Sequence, residues 1–431
     1  MGKSGEATGS EHRGAELSRE SHPSATYTAP PWFPLQPSFV SNVHQDLLIF
    51  GGGVAGLWLL NRARQAGYSA LLFERDALGA GQSIASQGMI HGGMKYALGG
   101  TLTGASEAIA DMPARWRACI AGEGELDLRG AKLLSDAYYM WPRPSLRSRL
   151  NAFLGSKTVR GKVTEVPTQD WPAFFNGHNK GTLYRLHDIV LDVPSLLRTL
   201  AEPHKDCIYR LDTTTCRFEG DGPDALVLPD GTRIAAQRFI FTAGAGNEAL
   251  ISQLPLPETA RPAMQRRPLQ MVVVKHHITD PLYVHCVSDQ LTATPELTVT
   301  THPCSDGRTA WYLGGELAEA GVKRSEAEQL KAARELLESL FPWQNWKDAE
   351  FSSFRIDRAE ARQPDGKRPD QDSLLVAGKA LCCWPTKLTL APNLAARVLQ
   401  QLQNERIAPA HPQAAPLDLP SVSVATPPWE L

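Results

Sequence analysis

The chain has 431 residues, too many for one simple core, and this length predicts two or three domains with interior to spare for a cofactor. Hydrophobic residues make up 42% and charged residues 21%, ordinary for a soluble globular protein, and a formal net charge of −2 gives no electrostatic basis for binding nucleic acid. The seven cysteines, an odd number without regular spacing, point to reduced thiols and a cytoplasmic setting, and they offer no metal-ligating pattern. The adjacent pair Cys382-Cys383 reads as buried small hydrophobes.

Residues 1–44 read as a disordered N-terminal extension, rich in Ser, Gly, Pro and charge. The absence of an apolar core and the presence of Glu6, Glu11, Glu16 and Glu20 argue against a secretory or mitochondrial signal. Asp46–Phe50 then predicts a buried strand, Val54–Ala66 a helix stopped by Gly67, and Ser69–Phe73 a second strand, which together make a βαβ unit of a parallel sheet. Leu47–Leu60 is the longest apolar run, and its glycines keep it short of the ~18 residues a membrane span needs. Gly104–Ala121 predicts a helix, Lys132–Trp141 a mixed region, and Asp192 caps a helix with Pro194 near its first turn. Ala225–Leu228 and Arg233–Ala235 predict a hairpin about Pro229-Asp230-Gly231, followed by a buried strand Arg238–Thr242 that ends in Ala243-Gly244-Ala245-Gly246. Gln270–Lys275, Leu282–Val287, Leu297–Thr301 and Ala310–Leu313 suggest an antiparallel sheet and a second domain. Ser325–Leu340 is a helix capped by Ser325, with Leu330, Ala333, Leu337 and Leu340 on one face. Leu374–Gly378 is expected as a last parallel strand and Pro392–Asn404 as a last helix.

Gly51-Gly52-Gly53-Val54-Ala55-Gly56 satisfies G-x-G-x-x-G, and each glycine answers a separate need. Gly51 allows the tight turn, Gly53 a close approach to a pyrophosphate, and Gly56 close packing of helix on strand. The phosphates would sit at the helix N-terminus, beside Val54 and Ala55, where unpaired N–H groups favour anions. Glu74, with Arg75 beside it, ends the second strand, where a carboxylate can accept hydrogen bonds from ribose hydroxyls. A dinucleotide site is the expectation, with NAD and FAD both open on these residues.

Downstream, Leu78-Gly79-Ala80-Gly81-Gln82-Ser83 leads into Ser86-Gln87-Gly88-Met89-Ile90-His91-Gly92-Gly93-Met94-Lys95-Tyr96. This stretch resembles the flavin-contacting segment of the D-amino-acid-oxidase-like FAD-dependent oxidoreductases. Its Ile-His-Gly-Gly core is similar to the glycerol-3-phosphate dehydrogenase and 2-hydroxyglutarate dehydrogenase branches. Leu191-Asp192-Val193-Pro194-Ser195-Leu196-Leu197, Phe241-Thr242-Ala243-Gly244-Ala245 and Arg267-Pro268-Leu269-Gln270-Met271 extend the resemblance over most of 46–400. It implies an α/β fold: a Rossmann-type FAD-binding domain from 45–125, 186–262 and 353–406, and a discontinuous α+β substrate domain from 126–185 and 263–352 built on an antiparallel sheet, with 407–431 as a C-terminal tail. It also implies FAD contacts from Gln82, Ser83, Ser86, Gln87, Gly88 and Met89, and from Ala243 and Gly244 at the second glycine turn.

One departure stands out. Where the family usually has a glycine-rich turn against the flavin pyrimidine, this chain reads Cys383-Trp384-Pro385-Thr386-Lys387-Leu388-Thr389-Leu390-Ala391-Pro392. Lys387, Leu388 and Thr389 are the expected contacts there, with Lys387 able to add a positive charge.

Such a site removes a hydride from a carbon bearing an amine or hydroxyl and delivers it to flavin N5. His91 is the side chain suited to take the accompanying proton, the plainer reading being that it only packs under the flavin. A small anionic substrate calls for a forked cation, and Arg355, Arg358 and Arg362 lie where the resembled family carries substrate-side arginines. Tyr96 and Tyr312 are weaker candidates for the pocket wall. The expected substrate is a small amino acid, hydroxy acid or polyol phosphate. Oxygen, a quinone or a protein partner remain open as acceptor, and peripheral membrane association with them. A nicotinamide-dependent dehydrogenase and a flavin-binding scaffold without turnover are the competing readings.

Overall fold

The computed structural model describes residues 42–93, 109–143, 163–288 and 294–431. Strand β1 (Asn42–Phe50), helix α1 (Val54–Gln65) and strand β2 (Ala70–Glu74) form the expected βαβ unit. β1 starts before the apolar run because its polar first half pairs with another strand, in register from Asn42 opposite Arg233 to Phe50 opposite Phe241. That partner is one continuous strand, Arg233–Phe241, where a hairpin arm and a separate buried strand were expected. Its first residues lie antiparallel to Ala225–Val227, and its whole length runs parallel to β1.

Five parallel strands make the centre of this sheet, in the order Ile208–Arg210, β2, β1, Arg233–Phe241 and Ala380–Trp384. The last of these corrects the sequence reading: Leu374–Gly378 is not the parallel strand. Ser373–Ala377 folds back antiparallel on Ala380–Trp384 through Gly378, whose φ of +61° makes the tight turn. The inner strand holds the buried Cys382 and Cys383, while the outer one leaves Val376 half exposed. α1 packs on the sheet beside the helices Val193–Ala201 and Ala391–Asn404. Asp192 caps the first of these by accepting the Ser195 N–H at 2.9 Å.

The second sheet runs Glu350–Ala361, Met264–His276, Thr309–Gly314, Leu297–Pro303, Val284–Val287, Tyr138–Pro142, Tyr184–Leu186 and Val163–Glu165. Its pairings are antiparallel except for Val284–Val287 against Tyr138–Pro142, so it is mixed where an antiparallel sheet was expected. Glu350–Ala361 pairs with Met264–His276 along its length, and the boundary expected at 353 falls inside that strand. One face is covered by Glu316–Gly321 and Glu326–Leu340, burying Val272, Val274, Trp311, Ala333 and Leu337 together. The capping box at Ser325 and Glu328 starts the longer of these helices.

A small third sheet joins Met89–Ile90, Ile189–Leu191 and Leu133–Ser135. Of the helix expected over Gly104–Ala121, Met112–Ala121 is present and 104–108 lie outside the described residues, as does Tyr96. Residues 407–431, expected as a tail, lie along the body: Leu78 donates its N–H to Ser423 O at 2.8 Å, and the buried Trp429 stacks on His302 with ring centroids 3.8 Å apart. Among the described residues no helix is long and apolar enough to cross a membrane.

Candidate functional site

At the carboxyl end of β1 the chain turns at Gly51, whose φ is +105°. A side chain there would meet Ala243 Cα at 2.5 Å, and one at Gly56 would meet Gly51 O at 2.0 Å. Both positions therefore admit only glycine, and each for the need expected of it. α1 begins with no side-chain cap and no acidic residue in its first turn. Its first N–H, from Val54, is donated to Ser83 Oγ at 3.1 Å. A helix start so arranged favours an anion. Glu74 accepts N–H groups from Gly52 at 2.6 Å and Asp76 at 3.1 Å, which fixes its carboxylate at the end of β2. Burial raises its pKa against these hydrogen bonds.

These groups line one end of a cavity of about 830 Å³ that extends to the second sheet. Gly51, Gly53, Val54, Ala55, Glu74 and Arg75 are on its wall, as are Gln82, Ser83, Ser86, Gln87, Ala243 and Gly244. Gly56, Gly88, Met89 and Thr389 are buried and off the wall. The segment after β2 bridges the sheets: Gln82 Oε1 accepts the Ala359 N–H at 3.0 Å, and Gln87 Nε2 donates to Tyr312 O at 2.8 Å. Tyr312 is buried with its hydroxyl on Ala85 O at 2.7 Å, so it supports the wall from behind and does not line it.

The far wall holds Arg355 and Arg358, with Leu269, Met271 and Ile356. Arg355 donates Nε to Gln270 Oε1 at 3.0 Å and Nη2 to Val322 O at 2.9 Å. Arg358 donates Nε to Arg267 O at 3.3 Å and Nη1 to Glu319 at 3.2 Å, and burial, then the charge of Arg267, lowers its pKa. Arg362 is exposed and off the wall. His91 is also off the wall, buried with its backbone N–H on Thr389 Oγ1 at 3.3 Å.

Trp384, Pro385, Thr386, Lys387 and Leu388 close the cavity next to the last helix. Lys387 donates Nζ to Asp370 O at 3.3 Å. Thr386 stands at φ +63°, a left-handed conformation that costs a β-branched residue roughly 1–3 kcal/mol. Its hydroxyl on Gln371 O at 3.0 Å holds it there.

Sequence reasoning missed the wall residues Leu211, Thr213 and Thr214 near Glu74. The signal was present: Asp212 caps the short turn by taking the Thr214 N–H at 3.0 Å, a pattern legible as Asp-Thr-Thr-Thr. Trp384 was also missed as a wall residue, and only the fold turns it inward, with Nε1 on Gly244 O at 3.3 Å.

The glycine cradle, the uncapped helix start and the fixed acid suit the pyrophosphate and ribose of a dinucleotide. A family model described as FAD dependent oxidoreductase (DAO) matches residues 46–391. The probable FAD-dependent oxidoreductase PA4991 of Pseudomonas aeruginosa is 49% identical over 388 residues, 90% of this chain and 97% of that protein. The crystal structure of PA4991 superposes with a TM-score of 0.77 at 44% identity, covering 90% of this chain and 98% of the other. Glycine oxidase from Geobacillus kaustophilus, at 15% identity and a TM-score of 0.61, covers 86% of this chain and 100% of its own, and shares the fold. The same holds for L-α-glycerophosphate oxidase from Mycoplasma pneumoniae with FAD bound, at 14% identity, a TM-score of 0.61 and coverage of 89% and 99%. The chain belongs to the DAO family of FAD-dependent oxidoreductases.

Proposed function

We propose that this FAD-dependent enzyme oxidises a small amino or hydroxy acid, with the substrate carboxylate held by Arg358. The observation that carries the reading is an arginine on the cavity wall whose Nε and Nη1 are already oriented by Arg267 O and Glu319. A half-neutralised, oriented arginine can present its remaining donors to a carboxylate. Arg355, with Nε and Nη2 engaged by Gln270 and Val322, sets the strand from which Arg358 projects.

In this reading the first sheet is the FAD-binding domain and the second the substrate domain. Gly51, Gly53 and the start of α1, with Ser83, hold the pyrophosphate, and Glu74 the ribose. The turn Thr386–Leu388 closes on the flavin ring, and Leu269, Met271 and Ile356 keep water from the reacting carbon. FAD, when bound, accepts the hydride. A polyol phosphate is the second substrate class, in keeping with the glycerol-3-phosphate dehydrogenase-like core at Ile90–Gly93. A reducing, cytoplasmic setting fits the seven cysteines, none of which is bridged.

Anaerobic bleaching of the bound flavin across a panel of amino acids, hydroxy acids and glycerol phosphates tests the substrate. Arg358→Gln should raise KM for the active carboxylate by about ten- to a hundredfold, the worth of one charge-assisted hydrogen-bonded pair. An unchanged KM would remove Arg358 from the substrate site.

A further inference from the structure

We propose that Thr389 is a positioning residue for the cofactor: it ties the turn that closes the cavity to the segment leaving Met89–Ile90, and so holds backbone N–H groups against the flavin ring. The inference rests on the FAD site described above. Thr389 has no exposed surface and is off the wall, while Leu388 and Ala391 on either side of it are on the wall. Its Oγ1 accepts the His91 N–H at 3.3 Å and donates to Met89 O at 3.4 Å. Its carbonyl accepts Trp116 Nε1 at 3.1 Å, and the buried Trp116 ring packs on Trp58 with centroids 4.7 Å apart. One residue thus joins the turn to the strand segment beneath the cavity and to the helix Met112–Ala121.

An independent observation shows why such a tie is needed. Thr386, three residues earlier, is held in a left-handed conformation that relaxes unless its surroundings over-determine it. Gln371 fixes that end of the turn, and Thr389 fixes the other. The Leu390 N–H is taken by Lys387 O and the Ala391 N–H by Leu388 O, and residue 392 is a proline, so the donors the turn has left to offer are those of Leu388, on the wall, and Thr389 itself. A flavin ring that gains electrons gains negative charge, and donors already in place stabilise that charge without reorganising. A valine at 389 would keep the volume but leave the His91 N–H and the Met89 carbonyl without the hydroxyl between them.

Sulfite tests this on the FAD-loaded protein. It donates its sulfur lone pair to flavin N5, forming an N–S bond, leaving negative charge on the ring and bleaching the flavin band. Thr389→Val should weaken sulfite binding about tenfold and lower the flavin midpoint potential, while Thr389→Ser stays within about twofold of the parent. Trp116→Phe, which removes the third tie, should shift both quantities the same way by less. Equal sulfite affinity in Thr389→Val and the parent, or a serine variant as impaired as the valine one, would overturn the proposal. Should Thr389→Val not fold, unchanged sulfite binding in Trp116→Phe overturns it instead. A parent protein that takes up no FAD would defeat the site itself, a result separate from FAD bound with unchanged sulfite affinity.

Discussion

Gly56 shows how far a single position can be argued from local chemistry. Its missing Cβ is the space occupied by Gly51 O, so Gly56→Ala must shift the start of α1, where the cofactor phosphates are proposed to bind. Loss of FAD from the purified variant, read by its absorbance, is the expected outcome, and a fully loaded alanine variant would refute the packing argument. His276 illustrates the opposite case, a residue whose behaviour depends on burial. Its Nδ1 accepts the Ile278 N–H at 3.1 Å, and burial with the help of His277 pushes its pKa from 6.5 down to about 4. The folded state then binds fewer protons than the unfolded one between these values. Stability is complete above pH 6.5 and is lost as pH falls toward about 4, by ~3 kcal/mol for this group. His276→Asn, which keeps an acceptor for Ile278, should flatten the fall in denaturation midpoint across that range. An unchanged slope would assign the acid sensitivity to other groups.

Among the elements, the C-terminal segment departs most from its sequence. Polar and proline-rich, it reads as a tail, yet it pairs with Leu78 through Val424 and carries Trp429 onto the inner face of the second sheet. There the indole stacks on His302 and lies 5.7 Å from Tyr312, the side chain that supports the cavity wall through Ala85. Glu430 fastens the end by accepting the Ser305 N–H at 2.7 Å and its hydroxyl at 2.5 Å. Removing a buried indole costs about 3–5 kcal/mol, so Trp429→Ala should lower stability by that order in denaturant titrations. A loss below about 1 kcal/mol would mean that the segment only rests on the surface.

At the scale of the whole molecule, the cavity is the seam between the two large sheets, and a ligand filling it stabilises both. FAD at a hundredfold excess over its dissociation constant should add about 2.7 kcal/mol to a single unfolding transition. Thermal melts with and without added FAD check this, and two transitions of which only one responds would uncouple the sheets. The βαβ unit, the acid at 74, the capped helices at 192 and 325 and four of the eight strands of the second sheet were legible because they rest on local patterns: period, caps, and glycines at turns. The order of strands, the exchange of roles between 374–378 and 380–384, and the burial of the C-terminal segment were not, because pairing partners lie hundreds of residues apart and either strand of a hairpin can read as the buried one. The same division runs through the site. Gly51, Gly53, Gly56 and Glu74 declare a dinucleotide by sequence alone, since backbone geometry at a glycine turn needs no distant partner. That Arg355 and Arg358 line the cavity while Arg362 is exposed, and that His91 and Thr389 are buried and joined by a hydrogen bond, were decided only by tertiary structure, because each depends on long-range pairings that local patterns do not carry.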